Sequence, residues 1–232
     1  MRDVAATVVF DLDGTLTDSG PGILRSTRLA LERMNAGGAA DFPVPAVTEL
    51  NWIIGPPLQE SFVKLVGADR AHILLALFRE RYSSIGLFEN SLYDGVVEAL
   101  ERLTALDHRL FVATSKPEPY ARRILDHFGL AKYFSQIYGA EMDGRRSAKS
   151  ELLTYLLGRE RIGAAQRIVM IGDRRHDALG ARAVRIPAIG ALWGYGDAEE
   201  LAGAGADPLI ETPRHIPAAV AAVFARAEWR RE

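Results

Sequence analysis

Apolar positions along the chain follow two different periods. Val4–Phe10 is an unalternating run of β-branched and small apolar residues that stops at Asp11. Runs of the same kind recur at Leu110–Ala113 and Ile168–Ile171, with a shorter one at Ala188–Leu192. Continuous apolar runs of that length predict central strands of a sheet covered on both faces. Between them the apolar residues return every three or four positions, which predicts helices over Val96–Leu106, Pro119–Phe128, Leu152–Arg159 and Asp177–Val184. A further strand region falls at Ser135–Ala140, and the Ala-rich tail Ile216–Trp229 reads as a helix packed on one face. Strand and helix therefore alternate from about residue 92 to residue 192, the pattern of a parallel sheet with crossover helices.

Residues 18–91 break that rhythm. Gly22–Met34, Leu58–Val66 and Ala71–Tyr82 carry helical spacing, no stretch reads as a strand, and Gly37-Gly38, Pro43, Pro45 and Gly55-Pro56-Pro57 punctuate them. The expectation is an α/β protein: a Rossmann-like parallel-sheet core over residues 1–17 and 92–232, with an all-helical domain inserted at 18–91. The chain length agrees, since 232 residues at about 150 per domain is one full domain and a smaller companion.

Composition removes several classes. With 48% apolar and 25% charged residues the chain has material for a core, and disorder, collagen and disulfide scaffolds are excluded. The 28 basic and 30 acidic side chains give a net charge of −2, so no basic field marks a nucleic-acid polymer or an anionic membrane as partner. Cysteine is absent, which rules out thiolate catalysis and Cys-based metal sites. No signal-like N-terminus and no apolar run near the eighteen or so residues of a membrane span are found, so a cytoplasmic location is expected. One imbalance stands out: 24 basic residues are Arg and four are Lys, namely Lys64, Lys116, Lys132 and Lys149. A Lys kept in such a chain can be there for its compact ammonium, which Arg cannot copy.

Candidate chemistry collects where the predicted strands end. Asp11-Leu12-Asp13-Gly14-Thr15 follows the first strand, at the edge where open parallel sheets bind ligands. Residues two apart share a face, so Asp11 and Asp13 both meet the crevice. Two ionised carboxylates this close call for a cation, and Mg²⁺ suits an oxygen-only site. Gly14 would let the backbone approach a ligand, although an Asp-Gly turn beside a helix cap is the bland alternative. Gly172-Asp173 follows the Ile168 run, and Asp173 would join Asp11 if the two strands are neighbours. Asp177, one turn on, stands either beside the ion or at a helix N-cap. Thr114 and Ser115, before a helix whose start is marked by Pro117 and Pro119, point donors at a phosphate or simply cap that helix. Lys149, just before a helix, falls in the crevice where it could meet both Asp11 and phosphate; elsewhere a lone Lys is usually solvated.

Together these motifs resemble the haloacid dehalogenase-like superfamily over residues 5–210: Asp11-x-Asp13-Gly14-Thr15, Thr114, Lys149 and Gly172-Asp173-x-x-x-Asp177 follow in its order. The inserted segment resembles the small helical cap of phosphoglycolate phosphatase-like members. Many relatives place the third-motif Lys in a Lys-Pro-x-Pro context, whereas Arg145-Arg146-Ser147-Ala148 precedes it here, which makes Arg146 a rival of Lys149. The resemblance implies a Mg²⁺-dependent phosphomonoesterase in which Asp11 is the nucleophile, Asp13 the acid and base, and Lys149, Thr114, Ser115 and Gly14 hold the phosphate. It implies metal ligands from the carboxylates of Asp11 and Asp173 and the carbonyl of Asp13. An acid at position 13 sets the chain apart from the family's dehalogenases and transport ATPases.

The leaving group should be read by the insertion, with the loop Trp52–Leu58, and Gly55 and Pro56 in it, leaning into the site. Lys64 could reach an anionic part of the substrate, though a solvated helix face is the commoner fate of such a Lys. Phe88 or Tyr93 could stack on a base or serve as hinge packing. Segments such as Gly86-Leu87-Phe88-Glu89-Asn90, Ala113-Thr114-Ser115-Lys116-Pro117, Met142-Asp143-Gly144 and Gly194-Tyr195-Gly196 look like the 5′-nucleotidase-like bacterial branch. A small phosphorylated metabolite, with a nucleoside 5′-monophosphate first, is the expected substrate. Phosphoglycolate or another small ester, then a phosphomutase reaction, then a non-catalytic phosphate-binding module are the alternatives.

Overall fold

The computed structural model describes residues 6–38, 42–163 and 166–226. In chain order, β1 (Thr7–Phe10) and β2 (Thr17–Asp18) lead into α1 (Gly20–Ala36), a 3₁₀ helix at Val47–Ile53, α2 (Leu58–Val66) and α3 (Ala68–Tyr82). The chain then returns through β3 (Ser91–Leu92) to α4 (Val96–Ala105), β4 (Arg109–Pro117), α5 (Glu118–His127), β5 (Gln136–Ala140) and α6 (Lys149–Glu160). It finishes with β6 (Ile168–Gly172), α7 (Arg175–Ala183), β7 (Ala188–Ala191), α8 (Ala198–Ala204), β8 (Leu209–Ile210) and α9 (Ile216–Ala225). Six strands form one sheet in the order β5-β4-β1-β6-β7-β8, and every pairing in it is parallel.

The unalternating runs are explained by burial on both sides. In β1, Val8 and Phe10 join one apolar cluster with Leu100 of α4, Ile124 of α5 and Val220 of α9. Val9 points the other way, into a second cluster with Leu152 and Leu156 of α6 and Ala178 of α7. Successive residues of a strand alternate faces, so a strand covered twice needs apolar residues at every position. β1 is the central strand, paired with β4 on one side and β6 on the other. That pairing decides which residues meet at the C-terminal edge.

The segment between β2 and β3 contains α1, the 3₁₀ helix, α2 and α3, and its apolar side chains, including Leu31, Leu50, Phe62 and Phe78, belong to the first cluster. Phe62 and Phe78 pack edge to face at 5.6 Å. The helices expected there form, with α3 starting at Ala68 rather than Ala71. The antiparallel β2–β3 ribbon is a correction to the expectation of no strand in residues 18–91, since Asp18 and Ser91 pair within it. Two-residue strands carry no period to read. β4 runs on past Ala113 to Pro117, with a register shift between Thr114 and Pro117, and β8 adds a sixth strand. The ends of the expected first strand (Val4, Ala5) and last helix (Ala227–Trp229) lie outside the described residues. Among the described residues no helix is long and apolar enough to cross a membrane.

Candidate active site

The described residues include six buried charged side chains: Asp11, Asp13, Lys116, Lys149, Asp173 and Asp177. All six come from the C-terminal edge of the sheet or the helix starts that follow it. Asp11 and Asp13 follow β1, Lys116 lies in the register shift near the end of β4, Asp173 follows β6, Asp177 lies in the first turn of α7, and Lys149 opens α6. The chain that places Arg almost everywhere else puts two of its four Lys here.

Lys149 is the hub. Its Nζ lies 2.9 Å from Asp11 Oδ1 and 2.7 Å from Asp177 Oδ1, and it donates to the Ala113 carbonyl at 2.8 Å. Burial disfavours the ammonium, but Asp11 and Asp177 outweigh it and hold the Lys149 pKa above its ordinary value. Asp177 serves two partners. Its Oδ2 accepts from the Arg174 backbone N–H at 3.1 Å, at the start of α7, while Oδ1 faces Lys149. The N-cap position of α7 is Arg174 itself, and Asp177 stands three residues on, its carboxylate closing back on the Arg174 N–H. Burial pushes it up to about 6 against the pull of Lys149.

Asp173 is fully buried and is held by the Thr15 hydroxyl at 3.1 Å and the Tyr195 backbone N–H at 2.8 Å. Burial, then the charges of Asp177 and Asp11, raise its pKa well above its ordinary value. Close approach is bought by glycine. Gly14 has φ +84°, and a Cβ there would sit 2.0 Å from Asp173 Oδ2. A Cβ on Gly172 would sit 2.2 Å from the Asp177 carboxyl carbon.

Asp11, Asp173 and Asp177 each bring a carboxylate oxygen within 4.8 Å of the others, a set that could hold a metal ion. The charges fit one. With all of them ionised, the four buried carboxylates exceed the two ammonium groups by two negative charges. Asp11 Oδ1 and Asp177 Oδ1 each meet Lys149 and accept from no other group, which leaves a lone pair on each for an ion. An all-oxygen donor set of this charge suits a hard divalent cation such as Mg²⁺.

Asp13 stands apart from that triad. Its Oδ1 lies 2.9 Å from Lys116 Nζ, and Lys116 also donates to the Tyr82 hydroxyl at 2.5 Å. The scarcity of Lys marks Lys116 in the sequence, but nothing local there marks its contact with Asp13. Thr114 is buried and its hydroxyl accepts from the Lys116 backbone N–H at 3.2 Å; Ser115 donates to the Ser147 carbonyl at 2.8 Å. Neither caps α5, whose N-cap position is Pro117.

A cavity of about 420 Å³ opens over these groups. Asp11, Asp13, Thr114 and Ser115 line it together with Gly55, Pro56, Leu58 and Phe78 from the segment between β2 and β3. Lys64 lies outside it, with its ammonium 5.8 Å from the Trp52 ring, in a separate depression beside Arg174 and His176. Arg146 is not with the carboxylate cluster: it pairs with Glu141 at 2.5 Å and lies over the Tyr155 ring at 4.2 Å. Phe88 packs on His127 and does not line the cavity. Tyr195 has a part the sequence reading did not give it: besides holding Asp173, its hydroxyl donates to Asp18 at 2.5 Å and accepts from the Gly20 N–H at 2.7 Å.

Comparison with known proteins agrees with this geometry. A profile of the haloacid dehalogenase-like hydrolases matches residues 8–191. The chain is 44% identical over 206 residues to a 5′-nucleotidase of Pseudomonas aeruginosa, covering 87% of this chain and 90% of that protein. It is 34% identical to a phosphoglycolate phosphatase of Xanthomonas campestris, over 90% of this chain and 93% of that one. A Mycobacterium tuberculosis protein named tyrosine-protein kinase PtkA is 43% identical over 83% of this chain, which spans 64% of that protein. The crystal structure of a predicted phosphatase from Clostridium acetobutylicum superposes with a TM-score of 0.86 at 34% identity, over 96% of this chain and all of the other.

Proposed function

The chain belongs to the haloacid dehalogenase-like hydrolase family, and on that premise we propose that it is a Mg²⁺-dependent phosphomonoesterase whose leading substrate is a nucleoside 5′-monophosphate. The observation that carries the reaction is the buried surplus of two negative charges around Asp11, in a cavity that Thr114 and Ser115 also line. In this reading residues 1–17 and 92–232 are the catalytic core and residues 18–91 a cap over the cavity. An Asp11 oxygen attacks phosphorus in line, the P–O ester bond breaks, and Asp13 gives its proton to the departing oxygen. Asp13 then takes a proton from a water that attacks the aspartyl-phosphate, releasing phosphate and regenerating Asp11. Lys149, Thr114, Ser115 and the backbone at Gly14 orient and offset the phosphoryl oxygens. The carboxylates of Asp11 and Asp173 and the carbonyl of Asp13 would hold the ion, with Asp177 beside them, and it supplies positive charge against those oxygens.

Cavity size supports a nucleoside over glycolate. About 420 Å³ is the range of pockets that enclose ligands of many atoms, and the wall of Ile53, Leu58, Phe78 and Tyr120 offers apolar surface to a base. A two-carbon leaving group would leave most of it to water. The similarity to a phosphoglycolate phosphatase makes that ester the second reading. The test is phosphate release from nucleoside monophosphates, phosphoglycolate and hexose phosphates, with Mg²⁺ and with chelator. We expect metal-dependent release, fastest from a nucleotide, and a loss of roughly 10³-fold or more in Asp11→Asn. Full activity in that variant would defeat the reading, as would isomerised product without phosphate. Transfer of phosphate to a protein tyrosine in place of water would assign the chain to a different acceptor.

A further inference from the structure

The mechanism above uses Lys149 and leaves the other buried ammonium without a task. Lys116 has 4% of its side chain exposed and meets Asp13 Oδ1 at 2.9 Å. On its other side it donates to Tyr82, the last residue of α3, at 2.5 Å. Tyr82 has little freedom. It stacks on Phe78 at 4.7 Å with the rings 21° apart, and meets Tyr120 of α5 edge-on at 5.9 Å. A buried ammonium costs desolvation that only close partners offset, so a solvated cation would be the cheaper choice if nothing depended on this one. Asp13 Oδ1 is sealed from solvent, yet Asp13 lines the cavity, so the face of the carboxylate shown to a substrate is the Oδ2 side.

We propose that Lys116 and Tyr82 are positioning residues for Asp13: Lys116 fixes Oδ1 so that Oδ2 is presented to the ester oxygen, and Tyr82 makes this arrangement depend on α3 being seated over the cavity. The helical insertion then acts on the proton-transfer step as well as covering the substrate, because the Tyr82 hydroxyl contact leads through Lys116 to the group that protonates the leaving oxygen. This rests on Asp13 acting as the acid in the reaction proposed above. It gives Lys116 a role distinct from Lys149: one ammonium orients the acid, the other offsets charge at the nucleophile.

The test compares kcat/KM on two esters, because this ratio reads the steps up to departure of the leaving group. A nucleoside 5′-monophosphate leaves as an alkoxide and needs a proton, whereas p-nitrophenolate leaves without one. Asp13→Asn sets the reference and should lose far more on the nucleotide than on p-nitrophenyl phosphate. Lys116→Met should follow it, with a loss of about 100-fold on the nucleotide and under about 5-fold on the aryl ester. Tyr82→Phe, which removes one oxygen and keeps the ring packing, should lose roughly 10-fold on the nucleotide only. Should Lys116→Met fail to fold, Tyr82→Phe carries the test alone. Equal losses on both esters, or a change confined to KM, would overturn the proposal. If Asp13→Asn itself shows no such split, the acid role of Asp13 fails first, and the two failures are told apart.

Discussion

Lys and Arg are both cations, yet the site accepts only one of them. Lys149 spends three short contacts on Asp11, Asp177 and the Ala113 carbonyl, all within 2.9 Å of a single nitrogen. A planar guanidinium spreads its donors over a wider fork and cannot converge on three acceptors around one point. Its stem is also confined, since a Cβ on Gly180 would lie 2.7 Å from both Cβ and Cγ of Lys149. Lys149→Arg should therefore fail nearly as badly as Lys149→Met, with kcat/KM for phosphate release reduced by roughly 10²-fold or more. Exposed Lys132 provides the contrast: its replacement by Arg should leave turnover within about 2-fold. A Lys149→Arg enzyme of ordinary activity would remove the geometric argument. At this scale the sequence was informative where chemistry is tied to a strand end. Asp11, Asp13, Asp173 and Lys149 could be placed because a buried run stops just before each carboxylate motif, and because Lys is scarce. The Tyr82–Lys116 contact could not, as it joins residues 34 apart through tertiary packing that leaves no local pattern.

Elements with a period were legible and elements without one were not. Central strands announced themselves as unbroken apolar runs, and the helices between β2 and β3 as three-and-four spacing. The β2–β3 ribbon has two residues a side, and β8 likewise, which is too short for any alternation to appear. What holds the return from α3 to β3 was equally hidden. Glu89, just past the turn at Gly86–Phe88, accepts from both arms of Arg81, at 2.6 and 2.8 Å, and from Arg25 at 3.0 Å. The Arg81 hydrogen bonds lower the Glu89 pKa against the cost of its burial. A carboxyl whose pKa is depressed by folding contributes stability that is full above its unfolded value, about 4.3. That contribution is lost as pH falls through the lower folded value. Glu89→Gln should thus cost about 1–2 kcal/mol at neutral pH, a bidentate charged contact being worth that much when partly shielded. Urea unfolding at pH 7 and near pH 3 measures it: the gap between variant and parent should close at the acid end. A gap that persists unchanged there would mean that the carboxylate charge is not what holds this turn.

Across the whole molecule, the parallel order of the sheet converts three distant segments into one charged site. Asp11 follows the first strand, Asp173 follows the sixth with Asp177 in the helix after it, and Lys149 opens α6; the carboxylates meet because β1 and β6 are neighbours. The same order makes the protein's stability depend on what fills the site. Without a cation, folding must bury four carboxylates against two ammonium groups, and the shift of Asp173 well above its ordinary pKa records its burial first and then the charges of Asp177 and Asp11. Unfolding scatters these residues, so an ion bound by the assembled site stabilises the folded state alone. At about 100 times its dissociation constant such an ion adds about 2.7 kcal/mol. For a chain of this size that amounts to a rise in Tm of roughly 5–10 °C. Thermal melts in Mg²⁺ and in chelator, at matched ionic strength, should show it. Asp173→Asn separates the electrostatic account from a general salt effect, because it makes two opposite changes. Removing one charge relieves the repulsion, so the variant should melt higher than the parent in chelator, while losing a ligand should erase most of the Mg²⁺ response. A parent protein indifferent to Mg²⁺, or a variant that keeps the full rise, would show that the surplus charge at this sheet edge is balanced by something other than a metal.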